Sequence, residues 1–500
     1  MSDGLELFLD RHRISHEANL ARHLCHPRKH PDNPVLVGEH PWETQYIAAC
    51  SILPRDGGGY RMWYAGGSKT VGMHADVSLC YAESEDGYAW QRVMSDRHPY
   101  EGVERTNIVI GPETNVRGTC IVENVHDESG KQRYLALYNS YPKGRDDIAH
   151  LLQGIRWCFT ATSPDGIDWS PRLGRPAIPG KSDSIQGIAW DAGHRRYIAY
   201  LRGIRAPHLP FDRPHGESTR VRYVRAAVSD DFEHWSDPVE LLRLRGDEGD
   251  PERHYHQFAV TRLGDQYVAL GSIFQVDDYI EMEHGLDGVI LMEEGVCDNR
   301  LEVSRDGLRW DPVLTGRLGA DEDFLERGTG AAWDSRWITT ATQMLREEKR
   351  ILICYSAAHI RRQDTPPVLT KIGVADLPRD RFQALRPRRL AQPGVLELKP
   401  LYLAADDLVI NADAVQGEIR VELCDFNGVT IEGFGLDDCT PMKGVDSLDH
   451  AIRWRGGRLA DAVKPDSLFQ NAIRLRFYLQ HAGLYAAYLP ARDPLNPTKC

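Results

Sequence analysis

The sequence predicts an all-β protein: a five-bladed β-propeller followed by a C-terminal β-sandwich. Two observations predict it. A Ser-x-Asp-(Gly)-x-x-Trp pattern stands at residues 84–90, 163–169, 229–235 and 304–310. The copies recur roughly every 70 residues, and repetition at a long period marks one supersecondary unit used several times. Beyond residue 390 the repeat stops, while alternating apolar runs continue.

The turn has a local chemistry. Ser and Asp side chains hydrogen-bond the turn backbone, Gly supplies a positive φ, and the closing Trp is free to pack on the neighbouring unit. A degraded fifth copy, Leu377-Pro378-Arg379-Asp380-Arg381-Phe382, keeps the register. Upstream of each copy lies a second strand, at 60–65, 133–139, 196–202, 266–273 and 350–356. A first strand precedes it, at 46–53, 119–125, 185–190, 255–261 and 337–344. Short turns such as 55–59 and 127–130 join the two. Four strands per unit and five units, with no long helix, give the propeller over 1–390. The connections from second to third strand (66–75, 140–153, 203–220, 275–297 and 357–369) are long and are expected to rim the propeller's mouth, opposite the Ser-x-Asp turns. Strands at 401–413, 417–425, 451–455, 471–479 and 484–489 predict the sandwich over 391–500.

Composition excludes several classes. Hydrophobic residues make up 41% and charged residues 27% of the 500 residues, ordinary for a soluble globular protein. The net charge of −13 argues against nucleic acid or anionic membrane as a partner. No apolar stretch approaches the roughly 20 residues of a membrane span. Met1 to Glu6 show no basic segment leading into an apolar one, so no secretory signal is expected. The 10 cysteines form no Cys-x-x-Cys pair. Cys50, Cys80, Cys120, Cys158 and Cys354 fall in expected strands, as small hydrophobes do. A reduced, cytoplasmic protein is expected. No His-Glu-x-x-His spacing occurs, and Gly57-Gly58-Gly59 lacks the Lys and Ser/Thr of a phosphate loop, so no metal or cofactor is expected.

The opening Leu7-Phe8-Leu9-Asp10, the run from Lys29 to Leu36, Pro41-Trp42-Glu43, Arg61-Met62-Trp63-Tyr64, Trp333-Asp334-Ser335 and the stretch from Asn411 to Glu422 resemble bacterial proteins labelled glycoside hydrolase family 32-like. The five-bladed scaffold is shared with family 43. The resemblance covers nearly the whole chain and implies a propeller plus sandwich with a glycosidase site in the central pocket. The family-32 Asn-Asp-Pro-Asn-Gly, Arg-Asp-Pro and Glu-Cys motifs are absent, so fructan specificity is not carried over. The repeated turn is also similar to the Asp-box of sialidases but is one residue shorter.

Glycoside hydrolysis takes two carboxyl groups facing each other across the sugar. In a propeller such groups come from the starts of first strands, which converge on the axis. Glu43, Asp183 and Asp334 occupy those points in blades one, three and five and are the expected catalytic acids; each also fits a structural role as a cap, a turn-former or a blade pin. Trp42 and Trp333 could stack on a sugar or pack between blades. Arg117 could meet an acidic group or hold a carboxylate ionised. His254 and His256 alternate, so at most one enters the cavity. Glu326 and His359 complete the substrate-binding candidates, Glu326 fitting a solvated loop charge better. The acidic stretch 277–284 is expected to be a solvated loop. A glycoside hydrolase on a small glycoside or oligosaccharide is therefore expected, without nucleic-acid or membrane partners and with the sandwich bracing the propeller or joining a homo-oligomer. A phosphorylase or transglycosylase on the same scaffold, and a non-catalytic glycan-binding module, are the alternatives.

Overall fold

The computed structural model describes residues 4–71, 74–140, 156–182, 184–205, 221–242, 253–284, 288–313, 315, 322–359, 370–402, 406–462 and 472–488. It is nearly all β, and the helical segments among these residues are single 3₁₀ turns such as Pro41–Glu43 and Leu459–Ala462. No helix among them is long and apolar enough to cross a membrane.

Five antiparallel meanders follow one another. Sheet 1 runs Tyr46–Pro54, Tyr60–Val71, His74–Ser84 and Gln91–Arg92; sheet 2 runs Arg117–Glu123, Tyr134–Ser140, Trp157–Ser163 and Ser170–Arg172. Sheet 3 comprises Ile185–Asp191, Arg196–Arg205, Val221–Ser229 and Val239–Leu242, and sheet 4 Arg253–Leu263, Gln266–His284, Gly288–Ser304 and Asp311–Pro312. Sheet 5 has Trp337–Thr340, Arg350–Ala358 and Lys371–Pro378, and its outermost strand is Arg28–Lys29 from the other end of the sequence. Apolar clusters fill the gaps between successive sheets. Trp63, Tyr81 and Tyr134 lie between sheets 1 and 2, and Leu137, Tyr197 and Trp235 between 2 and 3. Tyr200, Phe258 and Trp310 join sheets 3 and 4. Sheet 5 packs back on sheet 1 through Ile47, Met62, Leu352 and Val374.

The repeated turns behave as their chemistry requires. In the first, Gly87 N donates to Ser84 Oγ at 2.9 Å, and Tyr88 N and Ala89 N donate to Asp86 Oδ1 at 2.8 and 2.9 Å. Trp90 Nε1 closes the turn on Gly87 O at 3.0 Å. The turn glycine is also a packing point: at Gly166, with φ +86°, a Cβ would sit 2.5 Å from the Trp63 ring of sheet 1. There Trp63 Nε1 donates to Gly166 O at 2.7 Å. The side chains expected to pack on neighbouring units therefore do so.

Two connections expected as mouth loops are largely strand. The first hairpin keeps pairing as far as Val71 with His74, and the fourth as far as His284 with Gly288. The acidic stretch 277–284 is thus paired backbone, because Asp278, Ile280 and Met282 alternate in register with Glu294, Met292 and Ile290. Most of the other three connections lies outside the described residues.

The remaining strands form two antiparallel sheets around one apolar core. One runs Leu20–Leu24, Gln383–Pro387, Gly483–Tyr488, Leu408–Asp413, Asp446–Trp454 and Cys439–Thr440, with Leu5–Glu6 added beside Gly483–Tyr488. The other runs Ile14–Ala18, Gly394–Leu398, Ala472–Gln480, Glu418–Cys424 and Met442–Lys443. Leu396, Ile410, Val421, Phe477 and Leu484 fill the space between them. The division expected at residue 390 places 5–24 with the propeller, yet those residues pair with strands beyond residue 383.

Candidate functional site

Four inner strands, the first strand of each meander, break register at an equivalent point. Pairing skips Cys50 in sheet 1, Gly118 and Thr119 in sheet 2, Gln186 in sheet 3 and His256 in sheet 4. Such bulges bend a strand and re-aim side chains. Beyond them the inner strands interlock. Thr342 N donates to Cys50 O at 2.8 Å, Ile121 N to Ser51 Oγ at 2.9 Å, and Val260 N to Thr342 O at 3.1 Å. The Ser51 and Thr342 hydroxyls meet at 2.8 Å. This approach needs a bare backbone: at Gly187 a Cβ would lie 3.1 Å from Phe258 O and Val260 N. The residues of this floor are sealed from solvent.

Toward the other end, Tyr46, Ala48, Arg117, Ser184, His256 and Trp337 at the starts of the five inner strands are half-buried. The inner strands are therefore more open to solvent where they begin than at the closed floor. His256 presents its ring edge to Trp337 at 4.6 Å. Burial raises the pKa of the Tyr46 hydroxyl, while Arg117 and Arg156 pull it the other way. The Cys50 thiol is pushed up to about 12 by burial, so it does not serve as a nucleophile at neutral pH.

Adjacent inner regions are stitched by carboxamides. Asn139 Nδ2 of sheet 2 donates to Ser182 O at 3.0 Å, just before sheet 3. Gln186 Nε2 of sheet 3 donates to His256 O of sheet 4 at 3.0 Å, and Gln257 Nε2 of sheet 4 to Thr340 O of sheet 5 at 2.7 Å. Arg202 Nε joins Gln186 on the His256 carbonyl at 3.0 Å.

The structure shows how the expected site residues are held, beginning with Glu43. Its 3₁₀ turn lays it on the face of sheet 1, fully buried, where Oε1 accepts from Tyr64 OH at 2.7 Å and Arg92 Nε at 3.1 Å. Oε2 accepts from Arg92 Nη2 at 2.9 Å and Glu39 N at 3.0 Å. Both oxygens are spent on the fold. Trp42 is equally buried, stacked on His40 at 4.6 Å with Nε1 donating to Asn107 Oδ1 at 3.0 Å, and offers no face to a sugar. Asp334 is buried too, with Lys29 Nζ 2.5 Å and Tyr355 OH 3.4 Å from Oδ2. The Tyr355 hydroxyl is driven up by burial and by that carboxylate. Trp333 stacks on Tyr355 at 5.6 Å and packs over Gly373. The Glu43 and Asp334 carboxylates are thus each engaged by their own set of partners.

His254 is buried, its Nδ1 accepting from Arg222 N at 2.8 Å; of the two histidines, His256 is the half-buried one. Arg117 stands at the rim, half-buried, with Nε donating to Asn115 Oδ1 at 3.1 Å. Glu326 and His359 are exposed. Asp183 lies outside the described residues, but its neighbours Ser182 and Ser184 flank the start of the third inner strand. Sequence reasoning missed Tyr46, Gln186, Arg202 and Trp337. Tyr46 and Trp337 open inner strands and were within reach of the same register argument, whereas nothing in the sequence marks Gln186 as a bulge residue. Among the described residues no group of three His, Cys, Asp or Glu side chains could hold a metal ion.

No protein-family model matches the chain, and no curated protein does. Solved structures do resemble it. One is a fructofuranosidase from Schwanniomyces occidentalis in complex with fructosylnystose, 11% identical over 92% of this chain and 98% of its own, with a TM-score of 0.42. Another is a glycosyl hydrolase from Bacteroides ovatus, 17% identical over 71% and 94%, with a TM-score of 0.42. A third is an N-acetylgalactosamine deacetylase from F. plautii in complex with blood group B trisaccharide, 14% identical over 72% and 96%, with a TM-score of 0.44.

Proposed function

We propose that this chain is a glycosidase that binds a small glycoside or oligosaccharide in the axial hollow of a five-bladed propeller, the C-terminal sheets forming a β-sandwich that braces it. The observation that carries the reading is the ring of inner-strand starts. Five successive meanders deliver an aromatic (Tyr46, Trp337), a cation (Arg117), hydroxyls (Ser182, Ser184) and an imidazole (His256) to one end of the interlocked floor. Aromatic faces and hydrogen-bonding groups around a concave site suit a sugar. Asp183 lies outside the described residues, and on its place in the sequence between Ser182 and Ser184, just before the third inner strand, it is assigned here as a reacting carboxylate. Every described cysteine is a free thiol and all but Cys25 are buried, which fits a cytoplasmic location.

The test is turnover by the wild type and Asp183→Asn on a panel of aryl furanosides and pyranosides. Loss of about a thousandfold in kcat at unchanged melting temperature supports the assignment, and full retention overturns it. A phosphorylase is the second reading, favoured by Arg117, Arg156, Arg202 and Arg225 at the same end of sheets 2 and 3. Turnover that requires inorganic phosphate would select it.

A further inference from the structure

A solvent-open cleft of about 390 Å³ lies between sheets 2 and 3, within the roughly 300–1,000 Å³ of ligand clefts. One wall is the first hairpin turn of sheet 2, with Asn124, His126, Lys131 and Gln132; the other is the repeated turn of sheet 3, with Asp230 and Asp231. The first inner strand here runs from Arg117 to Glu123, so the cleft lies at the end opposite the strand starts. One sheet earlier the same gap is bridged: Asp56, in the corresponding hairpin of sheet 1, accepts from Arg133 Nη2 of sheet 2 at 2.7 Å. In sheet 2 Asp127 instead turns onto its own loop, accepting from Ser129 N at 3.0 Å, Ser129 Oγ at 2.7 Å and Gln132 N at 2.9 Å. The facing wall is fixed as well. Asp231 Oδ1 accepts from Glu233 N and His234 N, each at 2.8 Å, and its Oδ2 lies 2.7 Å from His234 Nδ1. Asn124 Oδ1 accepts from His126 N at 3.0 Å, and the His126 ring is braced edge to face against Trp190, with centroids 5.0 Å apart. Walls held in advance lose little freedom when a ligand arrives.

The lining selects the ligand. The carboxylates of Asp127 and Asp231 serve the turns they hold. Lys131 and Asp230, one on each wall, are exposed and opposite in charge, and Gln132 adds an exposed carboxamide. One charge of each sign suits a neutral ligand, and an ammonium, a carboxylate and a carboxamide around a polar cleft pair well with hydroxyls that both donate and accept. We propose that this cleft is a second, non-catalytic carbohydrate site, which takes a segment of a neutral polysaccharide and grips its hydroxyls through Lys131 and Asp230. The choice of a sugar as ligand rests on the glycosidase reading, and the site extends that reading to a polymer held on the far end of the ring from the strand starts.

The experiment is native affinity electrophoresis of the full chain in gels containing arabinan, galactan, mannan, β-glucan or levan, with alginate as the anionic arm. Wild type, Asp230→Ala and Lys131→Ala are run beside Lys349→Ala, a control at another exposed lysine, and all four are assayed on the aryl glycosides. Expected is retardation of wild type and Lys349→Ala by at least one neutral polysaccharide. Affinity should fall about tenfold in Asp230→Ala and in Lys131→Ala, with aryl glycoside turnover unchanged in every variant. Equal retardation of all four proteins, retardation by alginate alone, or no retardation of wild type overturns the cleft assignment and leaves the glycosidase reading standing. Wild type that turns over no aryl glycoside overturns the glycosidase reading, while retardation lost in Asp230→Ala and Lys131→Ala still supports the cleft as a sugar site.

Discussion

Arg346 grips Asp380 with two parallel hydrogen bonds, Nε to Oδ1 and Nη2 to Oδ2, each 2.8 Å long. Asp380 is fully buried and belongs to the degraded fifth copy of the repeated turn, where it holds a positive φ of 61°. Tyr488 OH from the last described strand also donates to Oδ2 at 2.8 Å, and Arg379 lies 3.5 Å away. A turn that elsewhere only closes a hairpin has become the bolt between the fifth meander and the C-terminal sheets. Arg381 extends it, with Nε donating to Asn411 Oδ1 at 2.8 Å.

Removing that carboxylate takes their shared partner from Arg346, Arg379 and the Tyr488 hydroxyl. Asp380→Ala is expected to cost about 2–3 kcal/mol, the range for losing hydrogen bonds to a charged group. Denaturant unfolding followed by tryptophan fluorescence reads the loss. A change below about 1 kcal/mol would show that the bolt is dispensable.

Glu43 offers a sharper discrimination between holding the fold and doing chemistry. Glu43→Gln leaves Arg92 facing a neutral amide inside sheet 1, so stability is expected to fall by about 3 kcal/mol. Turnover per folded molecule should stay within about threefold of wild type, since both carboxylate oxygens are already engaged by Tyr64, Arg92 and Glu39 N. A catalytic role would give the reverse, a stable protein with collapsed kcat.

The repeated turns make stability fall in acid. The carboxyls of Asp86, Asp165, Asp231 and Asp306 are all held below the usual range. Burial opposes this in all four and is the largest single influence at Asp165, Asp231 and Asp306, but hydrogen bonds from turn N–H groups, from Ser hydroxyls and, at Asp231, from His234 together outweigh it. Depressed carboxyls contribute stability that is fully present above the unfolded-state pKa near 4 and lost as pH falls through the folded values. Melting temperature should therefore hold from about pH 7 to 5 and drop below about pH 4. Asp165→Asn should flatten that drop; an identical acid limb in the variant would show that another group sets it.

The sequence carried what local chemistry determines. Ser-x-Asp turns form from side chains two and three residues from the groups they bind, so their spacing was readable and the strands around them followed. What stayed hidden depends on remote partners. Glu43 is engaged by Arg92, and Asp334 by Lys29 far earlier in the chain, so neither could be told from a catalytic acid by its neighbours. Arg28–Lys29 is too short for any propensity signal, and its role as the outermost strand of sheet 5 follows only from the ring's closure. The fourth hairpin was misjudged for another reason: its acidic residues look like a loop, while the alternation that makes it a ribbon pairs residues up to 37 positions apart, such as Tyr267 with Ser304.

The dependence of the fifth meander on Arg28–Lys29 reaches into how the molecule is made. During synthesis Arg28–Lys29 stays unpartnered until residues 371–378 have been made. Residues 5–24 wait longer still, for strands between 383 and 488. Until those partners arrive an open strand edge is on offer to any neighbouring chain.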